Sequence, residues 1–288
     1  GIWQWTNQIG TPYDDQASGI ALDVYKNIYV VGYTNGDLYD SINAGGPGNT
    51  FDAFLIKFDS NGNKIWSNLV GTASDEAARG VAVYQKGNDY AVYVTGETYG
   101  ALGVNPGASG FIFLAKYDAN GVLQAGWPYQ FGDVNYFGDM ASGVAVDADG
   151  DAYVTGLTYG ELPGHVSSGG SDIFLVKFNG ATSDIAWSDQ FGTATYFNGA
   201  AGVVIDANKN AYVAGYTDGS LDGNANTDPL GASSDIFLAK YNSSGVRQTG
   251  WTRQLGSKKS DMTSGLAIDV NGDVYLTAQV DLASFLGN

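Results

Sequence analysis

Short apolar runs alternate with polar turns along the whole chain, and the order of the runs repeats five times. Each unit begins with a Gly-led run, which reads GIALD, GVAVY, GVAVD, GVVID and GLAID and starts at Gly19, Gly80, Gly143, Gly202 and Gly265. A second run follows a tight turn, as in IYVVGYT at 28–34. Such short runs, rich in Val, Ile, Tyr and Thr and bounded by Gly, Asp and Asn, predict β-strands. No segment holds the 3.6-residue apolar period of a helix.

Two further runs complete the unit. The third reads DAFLIKFD at 52–59 and recurs at 111–118, 172–179 and 235–242. The fourth begins with tryptophan, as in WTNQIG and WSDQFG, and the five copies start at Trp5, Trp66, Trp127, Trp187 and Trp251, spaced 61, 61, 60 and 64 residues apart. A fixed period of this kind indicates an array of one supersecondary unit, here four antiparallel strands joined in sequence.

Apolar residues occupy both faces of the first three strands, so each sheet must be covered on both sides. Radial stacking of four-stranded sheets achieves this and leaves only short edges. We therefore predict an all-β fold, a five-bladed β-propeller of four-stranded antiparallel blades. The N-terminal Trp strand is expected to complete the last blade, which removes exposed edges. The predicted single domain, 1–288, has blades at 19–71, 80–132, 143–192, 202–256, and 265–288 plus 3–10.

The units resemble the bacterial beta-propeller repeat family known as SBBP repeats. Residues 143–158, 172–177 and 187–193 follow the family's succession of a GVAVD strand, a V-Y-V-T-G strand, a D-x-F-L-x-K strand and a W-x-x-Q strand, as do residues 202–217 and 235–251. The second unit departs from it at Tyr84, which replaces the Asp, and the fifth unit is truncated. The resemblance implies a propeller from a secreted or surface-attached bacterial protein, and it implies no catalytic residues.

Composition narrows the class of partner. The chain has 288 residues, 44% of them hydrophobic, which is enough for a sizeable core. Its formal net charge of −17 repels phosphate backbones and anionic lipid, so we expect no nucleic acid partner and no direct membrane insertion. Cysteine is absent, which excludes disulfides and thiol chemistry. The chain starts at Gly1 rather than Met, as a processed chain or a fragment does.

The loops at one end of the predicted sheets differ between units, and binding sites usually lie on such loops of a rigid scaffold. Aromatic rings near carboxylates suit sugars, because the rings stack on the sugar while the carboxylates bond its hydroxyl groups. Hydrophobic pegs that pin the loops to the scaffold are an equally open interpretation. The expected ligand-binding residues are Tyr13, Asp15, Tyr136, Phe137, Asp139, Tyr196, Phe197 and Asp261.

The turn between the first and second strands carries acidic residues at alternate positions, most densely at Asp147, Asp149 and Asp151. Oxygen ligands at positions 1, 3 and 5 are typical of the start of a calcium loop. The Gly at position 6 and the Glu at position 12 of such a loop are missing here, and Asp, Asn and Gly also form tight hairpin turns. A structural turn is favoured, and calcium at these three residues is the one cofactor that the sequence suggests.

A lysine recurs at one position of the third strand, and a buried lysine needs a partner. We expect it to pair with the acid that recurs after the Gly-led strand. The lysines are Lys57, Lys116, Lys177 and Lys240, and the acids are Asp23, Asp147, Asp206 and Asp269.

Three classes of function remain open. Near-equivalent repeats, varied loops and the lack of a nucleophile constellation favour a non-catalytic extracellular or cell-surface interaction module that binds a glycan or a protein. A polysaccharide lyase or hydrolase would use carboxylates at the funnel mouth, such as Asp15, Glu76, Asp139 and Asp261. Equal acids around a ring suit a cation or capping role better than a catalytic pair with separated pKa values. A structural subunit of a surface filament or sheath would associate as a homo-oligomer.

Overall fold

The structure is a computed structural model, and it describes residues 5–103, 111–133, 138–194, 197–228 and 233–280. Within these ranges the chain contains eighteen β-strands and one short 3-10 helix. The strands pair in antiparallel ladders. The same ranges contain no helix with the length and apolar character of a membrane span. The predicted all-β fold with four-stranded antiparallel sheets is therefore confirmed.

The chain divides into two compact units, Gly1–Phe131 and Gly132–Asn288. The first unit contains two four-stranded sheets whose strands follow chain order. The first sheet consists of β1 (Asp15–Leu22), β2 (Ile28–Thr34), β3 (Asp52–Phe58) and β4 (Lys64–Val70). The second sheet consists of β5 (Glu76–Lys86), β6 (Asp89–Thr98), β7 (Ile112–Tyr117) and β8 (Tyr129–Phe131).

The second unit contains three sheets, of which two have four strands in the described ranges. The third sheet consists of β9 (Met140–Val146), β10 (Ala152–Thr158), β11 (Asp172–Phe178) and β12 (Ile185–Phe191). The fourth consists of β13 (Asn198–Ile205), β14 (Ala211–Thr217), β15 (Asp235–Tyr241) and β16 (Arg253–Leu255). The fifth consists of β17 (Met262–Ile268) and β18 (Val274–Gln279).

A row of three large side chains crosses the first sheet at a single register. Tyr29 on β2 lies opposite Lys57 on β3, which lies opposite Trp66 on β4. The Tyr29 and Trp66 rings meet edge to face at 6.1 Å, and the Lys57 ammonium lies 5.2 Å from the centre of the Tyr29 ring. The third sheet repeats this row with Tyr153, Lys177 and Trp187. The recurring Tyr, Lys and Trp of the sequence therefore form one packing element.

Neighbouring sheets of a unit share one core. In the first unit, Val31 and Leu55 of the first sheet are buried in a cluster with Val92 and Phe113 of the second sheet. In the second unit, the cluster joins the third and fourth sheets through Tyr153, Leu175, Val213, Phe237 and Tyr241. Each such side chain contributes about 1.5–3 kcal/mol when it leaves water. The two apolar faces of a strand thus explain why sheet packs on sheet.

A tryptophan fastens the outer edge of the first sheet to a turn of the second sheet. The Trp66 indole Nε1–H donates to the Ala119 carbonyl at 3.1 Å, and the Asn68 amide donates to the Gly121 carbonyl at 2.7 Å. Gly121 has a positive φ of +80°, and its missing side chain leaves room for the indole of Trp66. In the second unit, Trp187 lies against Gly245, which has the same backbone conformation.

The N-terminal segment 5–10 contacts the first sheet in the same way. Its Trp5 indole donates to the Ser60 carbonyl at 3.1 Å, and its Asn7 amide donates to the Gly62 carbonyl at 2.8 Å. The segment itself is not paired as a strand in the structure. It therefore has the contacts of an outer Trp strand that belongs to a preceding sheet.

Two features differ from the predicted unit. In the second and fourth sheets the last strand is only three residues long, and Trp127 and Trp251 lie before it rather than in it. Extra residues follow the β-bridges Tyr117↔Leu123 and Tyr241↔Arg247 and turn the chain before each tryptophan. The predicted third strand of the last unit, at 283–288, falls outside the described residues. The blade limits, the single domain and ring closure stay predictions.

Replacing Gly121 by Ala should destabilise the protein more than replacing Gly164 by Ala. Both glycines have a positive φ, +80° and +85°. Because an L-residue in this conformation costs roughly 1–2 kcal/mol, both substitutions should lower the free energy of unfolding by that amount. An added Cβ at Gly121 would also lie 2.9 Å from Trp66 Cδ2, whereas no heavy atom lies within 4 Å at Gly164. Urea unfolding should therefore show that Gly121→Ala lowers the free energy of unfolding by about 1–3 kcal/mol more than Gly164→Ala does. Equal losses for the two variants would contradict the role of the tryptophan contact.

Candidate functional site

A polar side chain at the start of the first strand of each sheet holds the loop that precedes that strand. Asp15 accepts hydrogen bonds from the Thr11 N–H, at 2.6 Å, and from the Thr34 hydroxyl at the end of the next strand. In the second sheet, Glu76 accepts in the same way from the Thr72 N–H at 2.6 Å and from the Thr98 hydroxyl at 2.8 Å. These oxygens are therefore used within the protein.

The acids predicted in the second unit have the same role. Asp139 accepts from the Asp133 N–H at 2.7 Å and from the Tyr159 N–H at 3.0 Å. Asp261 accepts from the Ser257 N–H and, at 3.1 Å, from its hydroxyl. Both carboxylates are buried. Ligand binding by Asp15, Asp139 and Asp261 stays a prediction, and their observed contacts hold loops.

Burial raises the pKa of Glu76 and of Asp139 above the ordinary carboxyl values, although hydrogen bonds from the loops act in the opposite direction. A catalytic pair needs one acid and one base that both face the substrate. Here the equivalent acids in each unit accept hydrogen bonds from their own loops, which agrees with a capping role. The fourth sheet has an amide at this position. This residue is Asn198, whose side-chain oxygen accepts from the Thr217 hydroxyl at 2.7 Å.

The predicted aromatic ligand-binding residues are only partly described. Tyr13 is 48% exposed and lies against Gly36 and Gly48 of the loop between β2 and β3, so it also pins that loop. Phe197 is 53% exposed, and its ring centre lies 6.5 Å from that of Tyr159. The other three predicted residues, Tyr136, Phe137 and Tyr196, lie outside the described residues.

The acidic turn at 147–151 is organised by its own carboxylates. Asp147 Oδ1 accepts from the N–H groups of Asp149 and Asp151, at 2.9 and 3.2 Å. The Lys177 ammonium lies 3.0 Å from Asp147 Oδ2 and 3.0 Å from Asp151 Oδ2, and Lys209 pairs with Asp149. In the part of the chain that the structure describes, no three His, Cys, Asp or Glu side chains are grouped as a metal ion requires. Calcium at this turn stays a prediction, and calcium would compete with Lys177.

The recurring lysines do not share one partner. Lys177 pairs with Asp147, as predicted. Lys57 instead donates to the Ala119 carbonyl at 3.2 Å, and Lys240 lies above the rings of Tyr212 and Trp251. The acids themselves bind the tyrosine hydroxyl six residues further on, and these bonds join Asp23 to Tyr29, Asp147 to Tyr153, Asp206 to Tyr212 and Asp269 to Tyr275.

A cleft of about 240 Å³ opens in the first unit, at the loop end of the first two sheets. Tyr33 and Phe51 form one wall, and their ring centres are 5.3 Å apart at an angle of 89°. Arg79 and Glu97 form another wall, in which the guanidinium Nε lies 2.9 and 3.0 Å from the two carboxylate oxygens. Tyr99, at the rim, is 51% exposed. The cleft thus combines aromatic surface with both hydrogen-bond donors and acceptors.

Arg79 is anchored on two sides. Its guanidinium donates hydrogen bonds to Glu97, which raise the pKa of Arg79, so the side chain stays charged. Its guanidinium also lies 5.4 Å from the centre of the Tyr33 ring, whose hydroxyl donates to Gln16 at 2.6 Å. A bidentate pair of this kind has a fixed geometry and therefore a defined shape before any ligand binds.

Arg79 and Glu97 stand out when the five repeats are aligned along their strands, although a comparison of the loops does not reveal them. Arg79 occupies the β-bulge of β5, between Ala78 and Gly80, where the residue has no partner on the neighbouring strand. The other four units have Ser or Ala at that position, namely Ser18, Ser142, Ala201 and Ser264. Glu97 is likewise the one carboxylate at its position, which holds Tyr33, Leu157, Tyr216 and Gln279 elsewhere. Aligning the repeats inside the strands would have identified both residues.

Comparison with known families agrees with the resemblance seen in the sequence. The family model described as Beta-propeller repeat (SBBP) matches residues 4–40. The resemblance to that family is thus confirmed over these residues.

One curated relative is Regulatory protein FlaEY from Caulobacter vibrioides (strain ATCC 19089 / CIP 103742 / CB 15). It is 27% identical over 253 residues, which cover 78% of this chain and 25% of the relative. The chain thus spans about a quarter of the length of the curated relative that it matches.

Solved structures similar to this chain include the extracellular domain of BT4673 from B. thetaiotaomicron, described in one case as a one-component system and in another as a hybrid two-component system. The TM-score is 0.40 and the identity 12% in both cases, with 95% and 96% of this chain and 32% of that chain covered. Similarity at this level transfers no function to this chain.

Replacing Lys177 by Met should destabilise the protein by about 3–5 kcal/mol at neutral pH, because it leaves the buried Asp147 carboxylate without its cation. Lys240→Met is the matched control at the equivalent position. Its ammonium lies 5.0 Å from the Tyr212 ring centre, and its loss should cost less than about 2 kcal/mol. Urea unfolding of both variants measures the difference, and equal losses would contradict the buried pair.

The difference in unfolding free energy between wild type and Lys177→Met should become smaller as the pH falls. Burial acts to raise the pKa of Asp147, but hydrogen bonds from Lys177 and from backbone N–H groups outweigh it and hold the pKa below the ordinary value. The stability from a lowered carboxyl pKa is present above the unfolded-state pKa, about 3.9, and is lost as pH falls through the folded-state value. Urea titrations from pH 7 to about pH 3 should therefore bring variant and wild type closer together. A constant deficit would contradict this assignment.

Proposed function

We propose that the chain is a non-catalytic interaction module, secreted or at a cell surface, which binds a glycan or a protein through the loop ends of its sheets. The observation that carries the proposal is the use of the recurring acids. Asp15, Glu76, Asp139 and Asp261 accept hydrogen bonds from their own loops. A hydrolase or lyase would need such groups to face a substrate.

Exposed aromatic side chains at the loop ends support a binding role. Tyr13 and Tyr99 in the first unit, and Phe197 in the second, each expose about half of their surface. Large rings that remain accessible on a rigid scaffold are typical of recognition surfaces. The relative FlaEY is named a regulatory protein, which agrees with a module that binds rather than catalyses.

Binding without turnover tests this function. The protein should be retained on one or more immobilised polysaccharides or surface proteins, while the same polysaccharides, incubated with it in solution, should release no new reducing ends and no unsaturated products. Release of either product would contradict a non-catalytic module. Absence of retention on every polysaccharide and every surface-protein extract would contradict the binding role.

A second candidate is a structural subunit, which uncovered apolar positions favour. Tyr275 of β18 is 57% exposed, whereas its counterparts Tyr29, Tyr93, Tyr153 and Tyr212 are buried. On β1, Ile20 is 70% exposed, and Val81 at the same position of β5 packs against the core. Such positions favour coverage by another sheet, either through closure of the proposed five-bladed ring by the N-terminal strand or through a neighbouring copy in an assembly.

Replacing Ile20 by Lys separates these arrangements, with Val270→Lys at a fully exposed turn position as the control. Ring closure predicts a monomer that loses about 2–4 kcal/mol through a buried charge. An assembly predicts an oligomeric wild type whose mass falls in the Ile20→Lys variant. A monomeric wild type with a change below about 0.5 kcal/mol, as for an ordinary surface substitution, would contradict both arrangements. Light scattering and urea unfolding supply the two measurements.

A further inference from the structure

We propose that the cleft formed by Tyr33, Phe51, Arg79, Glu97 and Tyr99 binds one neutral sugar ring of an oligosaccharide. The inference rests on the proposed function, since it names the ligand class and the subsite of a binding module. The cleft lies within the first unit, between β2, the start of β3 and the first two strands of the second sheet.

The walls of the cleft match the two kinds of surface that a sugar ring presents. Tyr33, Phe51 and Tyr99 provide apolar rings for the C–H groups of the sugar. Arg79 provides N–H donors and Asp75 provides a carboxylate acceptor for hydroxyl groups, while Glu97 holds the Arg79 guanidinium in place. A few convergent polar groups in a mostly apolar hollow are typical of a small-molecule site.

Charge selects a neutral ligand. Glu97 pairs with Arg79, and Asp75 and Glu76 add two more carboxylates to the lining, so the cleft has no excess positive charge for an acidic sugar. The whole chain carries a net charge of −17, which repels polyanions. The position above the Tyr33 ring, where a cationic ligand would bind, already holds the Arg79 guanidinium at 5.4 Å. A polyhydroxyl ligand without charge is not repelled by the carboxylates, and it does not need the position that the Arg79 guanidinium occupies.

Size limits the occupant to one ring. The cleft volume of about 240 Å³ is smaller than the roughly 300–1,000 Å³ of pockets that enclose drug-sized ligands. An oligosaccharide would therefore place one residue in the cleft and extend the rest over the loops.

Two variants and a matched control test the subsite. Arg79→Ser combined with Glu97→Leu installs the pair that the third sheet already has at Ser142 and Leu157, so the backbone tolerates both residues. Tyr99→Ala removes an exposed ring at the rim. Tyr159→Ala removes the tyrosine at the equivalent position of the third sheet, which does not line the cleft. Urea unfolding checks that each variant is folded.

Isothermal titration with neutral cello-, xylo-, manno- and galacto-oligosaccharides provides the readout, with oligogalacturonate and oligolysine as charged probes. Wild type should bind at least one neutral oligosaccharide. The dissociation constant should rise about tenfold or more in Arg79→Ser/Glu97→Leu and in Tyr99→Ala, and less than about twofold in Tyr159→Ala.

Each other outcome overturns the inference in a recognisable way. Unchanged neutral-sugar affinity in both cleft variants would place the sugar elsewhere and leave the proposed function standing. Binding of a charged probe alone would refute the neutral ligand class. No binding by wild type to any of these probes would refute the subsite, and the retention experiment on proteins would then decide the function separately.

Discussion

The structure depends on one constraint, which is that its sheets have two apolar faces. A strand such as β3 is buried along its whole length, so neither face of the first sheet can meet water at low cost. Packing one sheet against the next resolves this, and it places the strand interiors in a shared core and the strand ends at the surface. The tyrosine, lysine and tryptophan of a row lie within the sheets and therefore recur. The cleft lies at the strand ends, where the packing requirement is relaxed.

The fold could be predicted from the sequence to a large extent because each element has a local physical cause. Strand period, turn residues and the recurring tryptophan gave the strand order of the first four sheets. The shortened strands β8 and β16 could not be predicted, because the tryptophan keeps its contact with a tyrosine even when extra residues move it off the strand. Trp251, for example, still meets Tyr212 edge to face at 5.5 Å.

The candidate site was predicted less well, and the reason is physical. An acid where a loop meets the first strand of a sheet has the same sequence pattern whether its carboxylate faces a ligand or the N–H groups of the loop. Asp139 is buried among N–H donors of its own segment, and only the three-dimensional path of the loop reveals this. Arg79 and Glu97, in contrast, lie inside strands, where the repeat pattern predicts scaffold residues rather than a site. Their proximity across β5 and β6 depends on the strand register, which neither residue type indicates.

The β-bulge at the first strand recurs in all five sheets, at the residue occupied by Ser18 in the first sheet and by Arg79 in the second. A residue there has no partner across the ladder, so its replacement leaves strand pairing intact. Duplication of a repeat therefore copies, along with the scaffold, one position whose side chain strand pairing does not specify. In the second sheet that position and one residue of the next strand changed as a pair, to Arg79 and Glu97, so a single copy can acquire new surface chemistry while the strand pattern that folds the array remains constant.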